Sequence, residues 1–108
     1  MKQAKILWTS FALSRLDEIF DYLTREAKSV KPAKKITGKI IKRTDLLIEF
    51  PESGQIEPLL LKIGQNSRYL VEGNYKIIYE HFEKEKIIII TDVFHTKQYP
   101  GKLLKTFT

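Results

Sequence analysis

The chain contains no cysteine. Neither a disulfide nor a thiolate metal site can hold it together, so side-chain packing must, and a reducing cytoplasm is the expected compartment. No stretch approaches the roughly 18 consecutive apolar residues that a membrane span requires, so no membrane partner is expected. The opening residues, Met1 to Lys5, are polar and basic and run straight into a strand-like segment, which makes export an unexpected fate. The two histidines, His81 and His95, are not at metal-pair spacing, and there is no Gly-x-x-x-x-Gly-Lys phosphate loop. Zinc catalysis, nucleotide hydrolysis and thiol nucleophiles therefore lack support, and no metal or cofactor is expected.

Acidic residues are missing from particular places. Lysine and arginine number 19 against 13 aspartate and glutamate, a net charge of +6, and the excess is localised. Lys28, Lys31, Lys34, Lys35, Lys39, Lys42 and Arg43 follow one another with no acid between them, whereas Asp17, Glu18, Asp21 and Glu26 precede them. Lys97, Lys102 and Lys105 form a second acid-free region near the carboxyl end. Such two-sidedness favours polyanions or acidic protein partners.

At 108 residues a single domain spanning residues 1–108 is expected. Ile6, Leu7 and Trp8 read as a strand, and Thr9-Ser10 offers a hydroxyl to cap the helix that follows. Ala12, Leu16, Ile19, Phe20, Leu23 and Ala27 recur at spacings of three and four, which predicts an amphipathic helix. Pro32 suits the first turn of a second helix, predicted to run to about Phe50 before Pro51 stops it. Along it Ala33, Ile36, Ile40, Thr44 and Leu47 make one stripe, with Lys31, Lys35, Lys39 and Lys42 nearly opposite.

Leu59 to Leu61 form a short strand or pack beneath the helices. Three antiparallel strands then follow: Arg68 to Val71, Tyr75 to Tyr79 across a Gly73-Asn74 turn, and Ile87 to Ile90. The four isoleucines do not alternate with polar residues, so their strand is expected to be central or covered on both faces. The order predicts an α+β fold, β-α-α-β-β-β, with a two-helix hairpin packed on one face of a small antiparallel sheet.

With Trp8 before the first helix, Ile19 and Tyr22 within it, Pro51 and Gly54 after the second, and then Arg68, Tyr75 to Tyr79 and His95 to Pro100, the chain resembles the RelE/ParE-type toxins of bacterial toxin–antitoxin systems from about Ile6 to Leu103. The resemblance implies a growth-inhibiting protein silenced by a cognate antitoxin within a hetero-oligomer. It also implies one of two targets: messenger RNA cut on the ribosome, or DNA gyrase poisoned by binding. A third possibility is an inactive relative that only binds the antitoxin.

Cleaving RNA through its own 2′-hydroxyl needs a base, an acid for the departing oxygen and cations around phosphorus. For that chemistry the candidates are His95 as general base, Arg68 as a bidentate phosphate clamp, Lys76 as a point charge and Tyr99 as proton donor or stacking platform, with Lys97 and Gln98 contacting substrate. Cationic neighbours would favour neutral His95. Convergence of Arg68, Lys76 and His95 from neighbouring strands is the geometric expectation. Against it, Arg68 could simply brace the sheet through Glu72 or Glu80, and Tyr75 and Tyr79 share one side of their strand as packing residues. Compared with the messenger-cutting branch, Ser67 and Tyr69 stand where lysines are usual, Gln98 interrupts the terminal basic residues, and Lys76 occupies a position that can carry a functional arginine. The gyrase-poisoning branch requires no such set.

Overall fold

The structure, a computed structural model, describes residues 3–97. Strand β1 (Lys5–Trp8) leads into helix α1 (Ser10–Ala27), whose first turn is capped by the Thr9 hydroxyl accepting the Ala12 N–H at 3.0 Å. The helix closes at Lys28, which takes the left-handed conformation with φ 53°. Helix α2 (Lys31–Arg43) follows, with Pro32 in its first turn.

The second helix ends earlier than its apolar stripe suggests. At Thr44 the backbone N–H bonds the Ile41 carbonyl at 3.2 Å and the hydroxyl bonds the same carbonyl at 2.7 Å. The side chain thus draws the chain out of regular helix, as short hydroxyl side chains do when they compete for backbone carbonyls. A separate single turn, α3 (Leu46–Glu49), continues the stripe and keeps Leu47 fully buried. Beyond it come the two-residue strand β2 (Gln55–Ile56) and another single turn, α4 (Pro58–Leu61). Leu59 to Leu61 are therefore helical, started by Pro58 and capped by the Glu57 carboxylate, which accepts the Leu59 N–H at 3.3 Å.

Strands β3 (Arg68–Glu72), β4 (Tyr75–Phe82) and β5 (Ile87–His95) complete a five-stranded sheet in the order β1-β5-β4-β3-β2. Gly73, at φ 57°, occupies the first central position of the two-residue β3–β4 loop, where a positive φ costs glycine nothing. The fold is α+β as expected, but β2 adds a fifth strand, and β1 pairs parallel to β5, so the sheet is mostly rather than wholly antiparallel. The two helices between β1 and the rest of the sheet return the chain so that β1 enters beside β5 in the same direction.

Two apolar layers sandwich the sheet. On one face Ala12 and Leu16 of α1, Ile40 of α2 and Leu47 of α3 pack on Tyr75, Ile77, Tyr79, Ile88, Ile90 and Val93. On the other, Leu60 of α4 closes over Ile78, with Leu59, Tyr69 and Phe94 beside it. The isoleucine run is central, as predicted, yet burial alternates along it: Ile88 and Ile90 are buried and Ile87 and Ile89 only half-buried, because α4 covers less of its face than α1 and α2 cover of theirs.

One irregularity redirects the end of β5. Opposite Ile78 and Tyr79 the register shifts from Ile90 to Asp92, leaving Thr91 without a partner. A bulge of one residue reverses which face every later side chain takes. Val93 consequently joins the helix-side core, and His95, two residues on, lies on that side too.

Candidate functional site

A cleft of about 590 Å³ opens between α1 and the carboxyl end of β5. Arg15, Glu18, Ile19, Tyr22 and Arg25 line it from the helix, Tyr75 from β4, and Val93, Phe94, His95 and Lys97 from the end of β5 and beyond. It exists because Arg15, Ile19 and Tyr22 recur on one helix face, while the Thr91 bulge turns His95 toward that face. Two arginines, a lysine and an imidazole meet one carboxylate there, so the cleft suits an anion. Tyr22, exposed at its mouth, adds an aromatic surface.

His95 is held by two contacts. Its Nδ1 accepts the Lys97 backbone N–H at 3.1 Å, so in this arrangement the ring proton sits on Nε2. Its ring meets Tyr75 edge-on, centroids 5.3 Å apart at 80°. Burial, and next the nearby Tyr22, push the Tyr75 hydroxyl above its ordinary pKa, so Tyr75 is a proton holder and packing surface rather than a base.

Beneath the cleft, Arg15 reaches back to the sheet. Its Nε donates to Asp92 Oδ1 at 2.9 Å, and the same oxygen accepts the Val93 N–H at 2.8 Å. Asp92 is fully buried, and its Oδ2 has no hydrogen-bond partner among the described residues. Burial raises the Asp92 pKa, opposed by the Arg15 guanidinium and the Val93 N–H. The pair fixes the direction of Arg15 and ties α1 to the bulge.

Arg68, Lys76 and His95 do not converge. Arg68 lies opposite Tyr79 and His95 opposite Tyr75, four residues along β4, or about 13 Å at strand rise. The Arg68 guanidinium donates to the carbonyls of Gly54 at 2.9 Å and Glu52 at 3.4 Å, so it braces the turn before β2 through backbone rather than through Glu72 or Glu80. Tyr79 supports the same turn: fully buried, its hydroxyl accepts the Gly54 N–H at 2.9 Å. Burial drives the Tyr79 pKa up, partly offset by that bond and by Arg68.

Lys76 projects on the other face of the sheet. Its Nζ pairs with Glu57 Oε2 at 3.2 Å and sits 4.1 Å from the centre of the Tyr69 ring. There it neutralises the buried carboxylate that caps α4. Lys97 is in the cleft with His95, while Gln98 and Tyr99 lie outside the described residues.

Sequence reasoning missed Arg15 and Arg25 as partners of His95. The available signal was position: Arg15 is three residues from Ala12 and four before Ile19, inside the helix face that turns toward the sheet, with Glu18 the one acid of the helix that lines the cleft beside it. No group of carboxylates and histidines among the described residues is arranged to hold a metal ion. No described helix is long and apolar enough to cross a membrane.

The family model described as ParE toxin of type II toxin–antitoxin system, parDE, matches residues 6–100. No curated protein matches the chain. Among solved structures it is similar to the chromosomal ParDE toxin–antitoxin system from P. aeruginosa, at 18% identity and a TM-score of 0.65, covering 85% of this chain and 95% of that one. It is also similar to the RelBE2 toxin–antitoxin complex from Mycobacterium tuberculosis, at 17% identity and a TM-score of 0.55, covering 88% of this chain and 93% of that one. At such identities these likenesses establish the fold alone.

Proposed function

Because the chain belongs to the ParE toxin family of type II toxin–antitoxin systems, we propose that it is a growth-inhibiting toxin that acts by binding, with DNA gyrase as its target. The observation that carries the binding reading over RNA cleavage is the separation of Arg68 and Lys76 from His95, each cation already engaged in holding the fold. Phosphoryl chemistry needs its base, acid and cations within hydrogen-bond reach of one phosphorus centre. A target recognised by surface complementarity needs no such convergence. Both similar structures are of toxin–antitoxin systems, which supports an antitoxin as this chain's own partner.

Purified chain added to gyrase should inhibit supercoiling or trap cleaved DNA, and His95→Ala should retain that effect. Unaltered supercoiling at saturating chain, with no trapped DNA, rejects the gyrase target. The antitoxin partner is tested by co-purification with an acidic protein encoded beside this chain.

A second reading rests on the cleft itself, where Arg15, Arg25, His95 and Lys97 surround a space open to an anion. There the Nε2–H of His95 would donate its proton to the departing oxygen and the other cations would hold phosphate, in messenger RNA cleavage on the ribosome. New messenger ends after induction that vanish in His95→Ala would favour it over gyrase binding.

A further inference from the structure

The outer face of α2 is not used by the cleft, the core or any ion pair among the described residues. Lys31, Lys34, Lys35, Lys39 and Lys42 are all exposed on it. At about 100° per residue, Gly38 falls in the middle of their arc, with Lys34 and Lys35 one turn before it and Lys42 one turn after. A Cβ added at Gly38 would meet nothing within 4 Å, and no positive φ requires glycine there. Glycine inside a helix is disfavoured relative to alanine, so the residue weakens α2 without relieving any contact in this chain. What it does is leave bare backbone at the centre of five amines.

We infer that the outer face of α2 docks the phosphate backbone of duplex DNA, with Gly38 as the point of closest approach. Charge complementarity requires an anionic partner. Protein interfaces are enriched in aromatic residues and arginine and depleted in lysine, whereas this helix offers lysines and no aromatic side chain. Phosphates need only amines placed as point charges. Single strands are held by aromatic stacking platforms, which this face lacks. Duplex RNA is told from DNA by 2′-hydroxyls that donate as well as accept, and a face that offers donors alone reads phosphate without selecting for them. A helix of 13 residues extends about 20 Å, a length over which B-DNA presents about a dozen phosphate charges. The contact carries no base readout and is sequence-independent.

The test is fluorescence anisotropy of a labelled mixed-sequence DNA duplex titrated with the full chain between about 50 and 200 mM salt. Five phosphate contacts give a slope of log affinity against log salt of about −4.5, and replacing three lysines in Lys35→Gln/Lys39→Gln/Lys42→Gln should reduce its magnitude by about 2.7. Gly38→Gln adds bulk without changing charge, and should weaken binding several-fold while the melting temperature holds or rises. The control Lys5→Gln/Lys62→Gln/Lys84→Gln removes equal charge elsewhere and should leave the slope near the parent's.

The proposal is overturned if the α2 triple variant keeps the parent slope, or if the control lowers it as much. Unchanged binding by Gly38→Gln overturns the close approach, and tighter binding to single-stranded DNA or to polyglutamate overturns the choice of partner. This surface stands apart from the gyrase reading: duplex binding by a chain that leaves supercoiling untouched upholds the one and rejects the other.

Discussion

Arg15→Met should destabilise the fold, and the loss should depend on pH. Asp92 is fully buried and Arg15 is its only charged partner within ion-pair distance among the described residues, with the Arg15 side chain 14% exposed. Removing one member of a buried ion pair costs about 3–5 kcal/mol, because the other charge stays behind uncompensated. The slight exposure of Arg15 and the surviving Val93 N–H bond place the expectation at the lower end, about 3 kcal/mol. For a chain this size that corresponds to about 12 to 24 °C in melting temperature.

The sign with pH follows from burial. Asp92 keeps its proton to a higher pH in the folded state than the ordinary 3.8, so in that window the folded chain binds more protons than the unfolded one. Stability from this group therefore falls as pH rises through the window and stays lowered above it. Without Arg15 nothing cationic opposes the desolvation, and the upper limit of the window moves higher. Thermal unfolding of parent and Arg15→Met should accordingly differ most near neutral pH and converge as Asp92 becomes protonated. A difference below about 1 kcal/mol at neutral pH, no more than breaking an exposed pair gives, or one independent of pH, would refute the assignment of Arg15 and Asp92 as a buried pair.

Gly54→Ala places a Cβ 2.7 Å from both the Tyr79 ring and the Tyr69 carbonyl, and should cost about 1–3 kcal/mol in denaturant unfolding through overpacking. Tyr79→Phe leaves the Gly54 N–H without its acceptor and should cost about 1–3 kcal/mol, with little change in denaturant m-value. Lys76→Met strips the cation from buried Glu57 and should lose about 1–3 kcal/mol of stability, while growth inhibition per folded molecule is retained; loss of toxicity at full stability would restore Lys76 to the functional site.

Much of the scaffold was legible in local chemistry. The Thr9 cap, the α1 stripe, Pro32 in the first turn of α2 and the Gly73-Asn74 hairpin each rest on residues within one turn of each other, where backbone preference and hydrogen bonding act directly. Leu59 to Leu61 were ambiguous because three apolar residues carry no period; Pro58 and the Glu57 cap decided for helix. The extent of α2 was overestimated because its stripe continues into α3, and periodicity does not register the hydroxyl that breaks the helix at Thr44. The parallel entry of β1 left no local trace, since strand direction depends on where the intervening helices set the chain down.

Composition and pattern alone determined a packed, cysteine-free α+β chain with one strongly cationic helix face and no metal or nucleotide motif, because those properties are sums or short-range periodicities. Tertiary structure alone decided which charged groups are neighbours. A side chain's face on a strand is set by register, and the single unpaired Thr91 turned His95 toward Arg15 while Lys76 stayed with Glu57 on the opposite face and Arg68 bound the Gly54 turn. Register is a long-range property, fixed by how strands and helices pack together, and no spacing within the chain encodes it.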